Sequence, residues 1–363
     1  MKSYRVGIIG CGSIANAHAR SYRALGLNIA AAADINQEKL NMFKERYGVK
    51  NLYKDYKQML HKEALDILSI CTWPPLHSEM TVAAAEAGVK GVLCEKPMAT
   101  CLAEADRMIE ACEKTGAKLA VGHMRRFSEI YVKARRLVVD KVVGEPTFIH
   151  GISVGDLLSD GTHLVDIVRF FAGDQPVNWV IGQIDAHEKR RRYGHYVEDA
   201  AICYIEFRNG LTAFIEMSAF TKAPLKTGTV GFSKESLPKD LARAQSIYAR
   251  RKAKYCSVYI QGTEGRIEVG EREQPPLRFK GKGDADWNVP QLRWDVDPFK
   301  LEIEALIESI EQGKENPCSG KQGRQTLEVL MAVFESSRRR ETIPFPLEVM
   351  DHPLTTMIEK GEI

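Results

Sequence analysis

Long apolar runs are missing from this sequence, and so is any patterned use of cysteine. No uninterrupted apolar stretch approaches the roughly 20 residues that a membrane-spanning helix needs, so we expect no membrane role. The eight cysteines include no Cys-x-x-Cys pair, the spacing that structural zinc sites usually show. Several stand inside apolar runs, as Cys71 and Cys94 do, where a thiol behaves as a small hydrophobic side chain. The pattern predicts reduced, buried cysteines and no bound metal.

A strong charge of one sign and a targeting signal are absent as well. The 51 basic and 48 acidic side chains leave a formal net charge of +3, too small to predict binding to nucleic acid or membrane surfaces. The segment Met1–Tyr4 leads directly into a strand-like run without a cleavage-site pattern, so we expect a cytoplasmic protein. A length of 363 residues without repeats or low-complexity tracts favours two domains.

Strand-like and helix-like segments alternate through the first third of the chain. Five short, largely apolar runs predict strands at Arg5–Ile9, Asn28–Ala33, Asp66–Cys71, Val89–Cys94 and Lys118–Val121. Four segments between them have helical spacing and predict helices at Ser13–Leu25, Asn36–Tyr47, Leu76–Ala87 and Thr100–Thr115. Strands of about six residues alternating with helices of about twelve are typical of βαβ units around a parallel sheet. We therefore expect a doubly wound Rossmann domain over residues 1–122.

A glycine-rich loop, Gly10–Ala15, follows the first predicted strand and opens the first predicted helix. Gly10 can make the tight turn, and Gly12 leaves space for a pyrophosphate against the backbone N–H groups of the helix N-terminus. Ala15 is small enough for helix and strand to pack closely. Because the loop has this strand–helix context, we interpret it as a dinucleotide site, whose expected contacts from this segment are Gly10, Gly12, Ser13 and Ile14.

An acidic residue, Asp34, ends the second predicted strand about 20 residues further on. A carboxylate there can accept both ribose hydroxyls, and it would repel a 2′-phosphate. The following segment, Ile35–Gln37, offers no lysine or arginine to bind such a phosphate. The sequence therefore favours NAD over NADP.

Two further motifs extend the pattern: Leu93–Pro97, which reads Leu-Cys-Glu-Lys-Pro, and Gly161–Asp166, which reads Gly-Thr-His-Leu-Val-Asp. Together with the phosphate loop they resemble the Gfo/Idh/MocA family of oxidoreductases, named after glucose–fructose oxidoreductase and inositol dehydrogenase. The similarity covers about Tyr4 to Pro346 and continues in Thr72–His77, Gly122–Phe127 and Val197–Asp199.

Lys96 is the first candidate catalytic residue. Oxidation of a secondary alcohol needs a base for the hydroxyl proton and a cation that stabilises the developing alkoxide. Lys96 follows a predicted parallel strand, at the sheet edge where ligands bind in doubly wound folds. Pro97 disfavours helical geometry at Lys96, so we expect the lysine to project from an extended segment.

His163 is the natural proton acceptor, because imidazole titrates near working pH. The alternative is that His163 is a structural histidine at a helix start, capped by Asp166. We interpret Asp166 itself as a structural residue. The resemblance implies a third catalytic acid four residues before the histidine, but Ser159 stands there. Asp160, three residues before the histidine, is the candidate that the resemblance implies, and Asp156 is a second one; the alternative is that both are ordinary loop acids.

The resemblance also implies contacts beyond the phosphate loop. Arg126 matches the segment that enters the second domain, although Met124 stands where the family often has asparagine. The expected further cofactor contacts are Thr72, Trp73, Pro74, His77, Glu95 and Lys96. The expected substrate contacts are Lys96, Arg126, Asp160 and His163.

Longer strands predict a second, α+β domain over residues 123–346. Its predicted strands are Thr147–Ser153, Val177–Asp185, Asp199–Phe207, Leu211–Ser218, Val258–Gln261 and Arg266–Val269. Its predicted helices are His163–Phe171, Phe299–Gln312 and Gln322–Arg339. The Asn209-Gly210 pair predicts a hairpin, and the whole indicates a mostly antiparallel sheet. The resemblance implies that this sheet forms a homodimer or homotetramer, and residues 347–363 either extend across a neighbour or are disordered.

The second domain contains two basic stretches, of which the first, residues 219–255, fits the family pattern poorly. Residues 219–255 form either a functional lid or arm or a solvated surface excursion, with Pro238–Lys252 as a possible basic helix. The run Lys189–Tyr193 either faces solvent or attracts a phosphorylated or nucleotide-linked sugar. Nearby His195, Tyr196 and Glu198 are further candidate substrate contacts or structural residues.

These features predict an NAD-dependent dehydrogenase that acts on a hydroxyl of a sugar, cyclitol or related polyol, with or without a phosphate or nucleotide attached. One alternative is a redox-neutral enzyme that uses NAD transiently to cleave a glycosidic bond. Another is a non-catalytic NAD-dependent regulator, which would need neither Lys96 nor His163. No nucleic-acid or membrane partner is expected.

Overall fold

The computed structural model describes residues 3–187, 189–218 and 254–363. The described chain divides into two compact units. The first holds the residues up to Ser128 together with Tyr193–His195 and Asp295–Leu327, and the second holds Glu129–Arg192, Tyr196–Trp294 and Glu328–Ile363. Of the basic stretch 219–255, all but the last two residues lie outside the described residues, as does the helix expected at 238–252.

A six-stranded parallel sheet forms the centre of the first unit, with the strand order β3-β2-β1-β4-β5-β6. The strands are β1 (Arg5–Ile9), β2 (Asn28–Ala33), β3 (Asn51–Tyr53), β4 (Ile67–Ile70), β5 (Gly91–Cys94) and β6 (Lys118–Val121). The helices are α1 (Ser13–Ala24), α2 (Gln37–Tyr47), α3 (Tyr56–Lys62), α4 (His77–Glu86) and α5 (Leu102–Thr115). This order confirms the predicted doubly wound Rossmann sheet.

The short elements of this unit, β3 and α3, were not predicted, and α5 begins at Leu102 and not at Thr100. Three residues are too few to show alternation, and a seven-residue helix is shorter than the usual periodic signal. A 3₁₀ turn, Pro74–Leu76, precedes α4, so that helix begins at His77 and not at Leu76. The predicted cap of α2 is confirmed, because the Asn36 side chain accepts the N–H groups of Glu38 and Lys39.

A late helix, α8 (Pro298–Gln312), packs on the same sheet. Leu306 and Ile307 belong to one buried cluster with Val6 and Ile8 of β1. Tyr4 donates a hydrogen bond to Glu311 at 3.0 Å, which ties the chain start to this helix. The Rossmann core is therefore completed by residues far along the chain.

An eight-stranded mixed sheet dominates the second unit, in the order β15-β14-β13-β7-β12-β11-β8-β16, and only β7 and β12 pair in parallel. The strands are β7 (Pro146–Val154), β8 (Val177–Asp185), β11 (Ala200–Phe207), β12 (Thr212–Ser218), β13 (Ser257–Gly262), β14 (Gly265–Val269), β15 (Leu277–Lys280) and β16 (Ile343–Pro344). A separate pair joins β9 (Arg190–Arg192) to β10 (His195–Val197). The predicted mostly antiparallel sheet and its Asn209-Gly210 hairpin are confirmed.

The remaining helices are α6 (Glu129–Val139), α7 (Thr162–Phe171), α9 (Gly320–Arg339) and α10 (Pro353–Lys360). Helix α7 covers one face of the sheet, where a Cβ on Gly151 would lie 3.2 Å from both Leu164 and Val168. The expectation that residues 347–363 are disordered is wrong, because they include α10, which buries Leu354; their extension across a neighbour stays a prediction. Within the described residues, no helix is both long and apolar enough to cross a membrane.

Candidate active site

The phosphate loop turns sharply at Gly10, directly after β1. Gly10 has a φ of +85°, a left-handed conformation that residues with a Cβ rarely adopt, and its N–H donates to Ala33 O at 2.8 Å. A Cβ on Gly10 would lie 2.7 Å from the carbonyl oxygen of Cys71. Only glycine therefore fits this turn.

Open space lies in front of the N-terminus of α1. Gly12 caps this helix with an extended backbone and without a side chain to accept the first N–H groups, which include those of Ser13 and Ile14. Apart from its neighbours in the chain, no heavy atom of the described residues lies within 4 Å of the place that a Cβ on Gly12 would occupy. Backbone N–H groups at a helix start favour an anion, so this loop fits the pyrophosphate of a dinucleotide.

A cavity of about 320 Å³ adjoins the loop within the first unit. At its wall, Asp34 accepts the N–H of Cys11 at 2.7 Å on one carboxylate oxygen and the N–H of Asn36 at 2.8 Å on the other. Each oxygen keeps a lone pair for a ribose hydroxyl. The other predicted cofactor residues on this wall are Gly10, Gly12, Thr72 and Trp73.

The turn after β4 carries an exposed aromatic ring. Trp73 is 60% exposed, and its ring centroid lies 6.4 Å from that of Tyr193. Pro74 is buried at the start of the 3₁₀ turn. This turn therefore presents the indole beside the cavity and anchors it through the proline.

His77 links the two loops that carry predicted cofactor residues. Its ring is buried, with Nδ1 2.9 Å from the carbonyl oxygen of Pro97 and Nε2 3.1 Å from that of Thr72. Burial lowers the pKa of His77, although the carbonyl contacts oppose that shift. Both ring nitrogens already face backbone, so His77 holds the Thr72 and Pro97 loops together.

A chain of buried polar groups leads to Lys96. Tyr22 OH lies 2.8 Å from Ser69 Oγ, which lies 3.0 Å from His18 Nδ1. His18 Nε2 lies 2.9 Å from Glu95 Oε1, and the other oxygen of Glu95 accepts the backbone N–H of Lys96 at 3.2 Å. Burial alone would raise the pKa of Glu95, but hydrogen bonding and attraction to His18, with the charge of Lys96, bring it below its usual value.

Lys96 itself lies two residues after the end of β5 and is half-buried. Arg126 lies in a 3₁₀ turn, Met124–Phe127, and is buried, with Nη1 donating to Pro317 O at 3.3 Å. Arg126 is therefore fixed by backbone of the first unit.

In the second unit, a π-helical turn, Leu157–Gly161, leads into α7 and carries Asp160. Asp156 caps this turn, because its side chain accepts the N–H of Ser159 at 2.6 Å. His163 is buried in the first turn of α7. A wider turn of this kind accommodates an extra residue, which suits an acid displaced by one position relative to the family pattern.

One guanidinium joins both candidate acids. Arg192 Nη1 donates to Asp156 at 2.6 Å and to Asp160 at 2.5 Å, and Tyr255 OH donates to the second oxygen of Asp160 at 3.2 Å. Although burial opposes it, this pairing raises the pKa of Arg192. Gly155 provides the space for this arrangement, because a Cβ there would lie 2.0 Å from the Asp160 carboxylate. The Asp160 carboxylate is thus held by a guanidinium on one oxygen and by a phenol hydroxyl on the other.

The arginines of the 189–193 run have partners within the second unit. Arg190 pairs with Asp199, and the guanidinium of Arg191 lies 4.2 Å from the ring centroid of Tyr196. Because Arg192 pairs with the two aspartates, each of these three arginines has a partner within the second unit. The run therefore does more than face solvent, and its arginines are already engaged.

Glu198 lies beneath the π-helical turn and is fully buried. Its Oε1 accepts the N–H of Leu157 at 2.5 Å, while its Oε2 has no hydrogen-bond partner among the described residues. Burial, together with the nearby charge of Asp156, raises the pKa of Glu198 to about 8. The Glu198 side chain therefore supports the segment that carries Asp160, and its raised pKa favours the protonated form.

The network members that the sequence motifs do not reveal include His18, Arg192 as a bridge, and Tyr255. One signal was available for His18, because it falls on the apolar stripe of α1 with Ala15, Ala19 and Tyr22. A polar residue on such a stripe needs a buried partner. No comparable local signal exists for Tyr255.

Two regions of the chain match models of known protein families. Residues 4–123 match the model described as "Oxidoreductase family, NAD-binding Rossmann fold" and residues 147–345 that described as "Oxidoreductase family, C-terminal alpha/beta domain". The chain is 26% identical to a D-apiose dehydrogenase of Paraburkholderia graminis, over 100% of this chain and 95% of that protein. It is 25% identical to a myo-inositol 2-dehydrogenase of Thermotoga maritima, over 93% and 98%.

Solved structures share the fold. A levoglucosan dehydrogenase in complex with NADH and L-sorbose superposes with a TM-score of 0.78 at 19% identity, covering 96% of this chain and 100% of that one. The WlbA dehydrogenase of Bordetella pertussis, in complex with NADH and UDP-GlcNAcA, gives 0.73 at 21% identity, covering 96% and 100%. The resemblance found in the motifs is confirmed: the chain belongs to the Gfo/Idh/MocA oxidoreductase family, with its NAD-binding Rossmann fold and C-terminal α/β domain.

Proposed function

We propose that the protein is an NAD-dependent dehydrogenase that moves a hydride between a hydroxyl-bearing carbon of a sugar, cyclitol or related polyol and the nicotinamide. The observation that carries this proposal is the half-buried Lys96 at the carboxyl end of β5, held through Glu95 and His18 in the unit that also holds the open phosphate loop. The relatives named above act, by their names, on substrates of this class.

Three side chains divide the work on the alcohol. His163 takes the hydroxyl proton, and the ammonium of Lys96 stabilises the oxygen as negative charge develops on it. Asp160, fixed by Arg192 and Tyr255, orients the reacting groups. When bound, the nicotinamide supplies the chemistry of a hydride acceptor.

Turnover with NAD across neutral sugars, sugar phosphates, nucleotide sugars and inositols tests the proposal through NADH absorbance. We expect NADH to accumulate with at least one class, and Lys96→Met and His163→Asn to abolish turnover while fluorescence titration shows NADH affinity within about threefold. Product formation without NADH would point to the redox-neutral alternative. Undiminished NADH production by both variants would overturn the assigned roles.

We further propose that the uncovered face of the eight-stranded sheet binds a second copy of the chain. Side chains alternate along β8 and β11, and the outward ones include Ile181 and Ile202, which are 44% and 49% exposed. Trp179 and Tyr204 stack on this face with ring centroids 5.8 Å apart. A broad apolar and aromatic sheet face of this kind is typical of an interface.

Sedimentation at micromolar concentration tests this interface. Ile202→Lys should shift the protein toward monomer, whereas Val139→Lys, an exposed apolar site on α6, should leave its assembly unchanged. A wild-type protein that is monomeric under these conditions would contradict the proposal.

A further inference from the structure

The cavity beside Asp34 has an excess of positive charge. Its charged lining residues are one carboxylate, Asp34, and two ammonium groups, Lys39 and Lys54. Ile35–Gln37, directly after Asp34, contains no cation; Lys39 belongs to the helix α2 that follows, and Lys54 comes from the neighbouring strand β3. A cavity for a dinucleotide thus carries one more positive charge than its ribose-binding carboxylate can balance.

Backbone pairing brings Lys54 next to Asp34. Strand β3 pairs in parallel with β2 so that Tyr53 stands opposite Ala33, and the N–H of Asp34 donates to Tyr53 O at 3.1 Å. The residues that follow, Lys54 and Asp34, therefore leave the sheet side by side at its carboxyl edge. The position of Lys54 is set by sheet register and not by a flexible loop.

Lys39 reaches the same place from the first turn of α2. This helix is held by the Asn36 cap, and Asn36 N–H in turn donates to Asp34. The positive charge of Lys39 also acts on Cys11 of the phosphate loop, where it partly offsets burial and Asp34, which together raise the pKa of that thiol to about 12. Lys39 is thus close enough to influence the loop electrostatically.

Neither lysine has an ion-pair partner among the described residues. The neighbouring Lys57 differs, because it pairs with Glu79 at 2.8 Å and does not line the cavity. Two uncommitted ammonium groups in one cavity suit a multiply charged anion such as a phosphate monoester.

We propose that Lys39 and Lys54 form a subsite for a phosphate on the 2′-oxygen of the adenosine ribose, so that the protein accepts NADP(H) as a second cofactor. Asp34 opposes that phosphate and sets the preference for NAD. This inference rests on the proposed function, because it assumes that the same cavity binds the adenosine end of the dinucleotide.

Fluorescence titration with NADPH and NADH tests the subsite without turnover. We expect the wild type to bind NADPH measurably but more weakly than NADH, with a steeper salt dependence. Lys39→Gln and Lys54→Gln should each weaken NADPH binding by about fivefold and together by at least about tenfold, while NADH affinity stays within about twofold. Lys57→Gln is the matched control and should change neither affinity.

Asp34→Asn gives the complementary result, since it removes the repulsive charge but keeps a hydrogen-bonding group. It should strengthen NADPH binding and weaken NADH binding. If the double lysine variant weakens both cofactors equally, or if neither lysine affects NADPH, the subsite is wrong and the NAD site stands. If the wild type binds neither cofactor, the proposed function itself fails.

Discussion

His18 and Glu95 form a buried pair in the first unit, with Nε2 of the histidine 2.9 Å from Oε1 of the glutamate. The pair joins the cofactor helix α1 to the end of β5, immediately before Lys96. A buried carboxylate without a partner is costly, so the two residues are expected to depend on each other for stability.

Removing the histidine tests this dependence. His18→Ala should lower the free energy of unfolding by about 3–5 kcal/mol, because it leaves the Glu95 carboxylate buried without its main partner. His18→Gln retains a hydrogen-bond donor and should cost less. Urea unfolding measures both, and His61→Ala, at an exposed position of α3, is the control. Equal costs for the two alanine variants would contradict the coupling.

The acid dependence of the wild type follows from the same pair. The folded-state pKa of Glu95 is lowered. The contribution of its carboxylate to the free energy of unfolding is therefore present above the unfolded pKa of 4.5 and is lost as the pH falls through the folded pKa. In His18→Ala this acid-sensitive contribution should shrink.

The two glycines of the phosphate loop should respond differently to substitution by alanine: Gly10→Ala should lower stability, and Gly12→Ala should weaken cofactor binding. Gly10→Ala places a Cβ against Cys71 O in a left-handed backbone, so we expect a loss of about 1–3 kcal/mol or more in the free energy of unfolding. Gly12→Ala has ordinary extended geometry and empty space, so its stability should change by less than about 1 kcal/mol. The new methyl group would instead occupy the pyrophosphate position and weaken NADH binding.

Thermal unfolding and NADH fluorescence titration separate these effects. Loss of stability in Gly12→Ala, or its unchanged NADH affinity, would show that the open space does not hold the pyrophosphate.

Features that depend on local residues could be predicted from the sequence. The bounds of β2 and β8, the Asn36 cap and the Asn209-Gly210 hairpin agree with the structure, because periodicity and turn chemistry act within a few residues. The π-helical turn before α7 is invisible to a 3.6-residue period.

The partners of the site residues could not be predicted, because tertiary packing decides them. His18 and Glu95 are 77 residues apart, and Tyr255 and Asp160 are 95 apart. The same holds for the charges around Asp34. The three residues after it contain no cation, but the pairing of β3 with β2 places Lys54 beside it.

The two candidate acids can be distinguished by separate substitutions. Asp160→Asn should lower kcat by about 10²-fold or more with NADH affinity unchanged, because a fixed carboxylate that orients the reacting groups is lost. Asp156→Asn should mainly cost about 0.5–2 kcal/mol of stability, since Asp156 caps the π-helical turn. Steady-state kinetics and urea unfolding of both variants measure this difference, and the reverse pattern would make Asp156 the functional acid.

Arg192 is expected to support both activity and stability through its contacts with Asp156 and Asp160. Arg192→Ala leaves two carboxylates without their shared cation, so we expect a kcat reduced by at least about tenfold and a lower free energy of unfolding. Arg191→Ala, which removes a neighbouring arginine that rests on Tyr196, is the control and should retain activity. Equal kinetics of the two variants would remove Arg192 from the site.

Glu198 should make the protein less stable as pH rises toward and through neutrality. Its pKa is raised from 4.5 in the unfolded chain to about 8 in the fold, so the folded state binds more protons than the unfolded state between these values. The contribution of Glu198 to the free energy of unfolding is therefore fully present below pH 4.5. It declines by about 1.4 kcal/mol per pH unit until the pH passes about 8. Glu198→Gln, which stays neutral and keeps the shape, should remove this decline, whereas Glu348→Gln on the surface of the same unit should not. Urea unfolding from about pH 5 to about pH 8 measures the slope of the free energy of unfolding against pH. A wild-type slope equal to that of Glu198→Gln would show that Glu198 ionises as freely in the fold as in the unfolded chain.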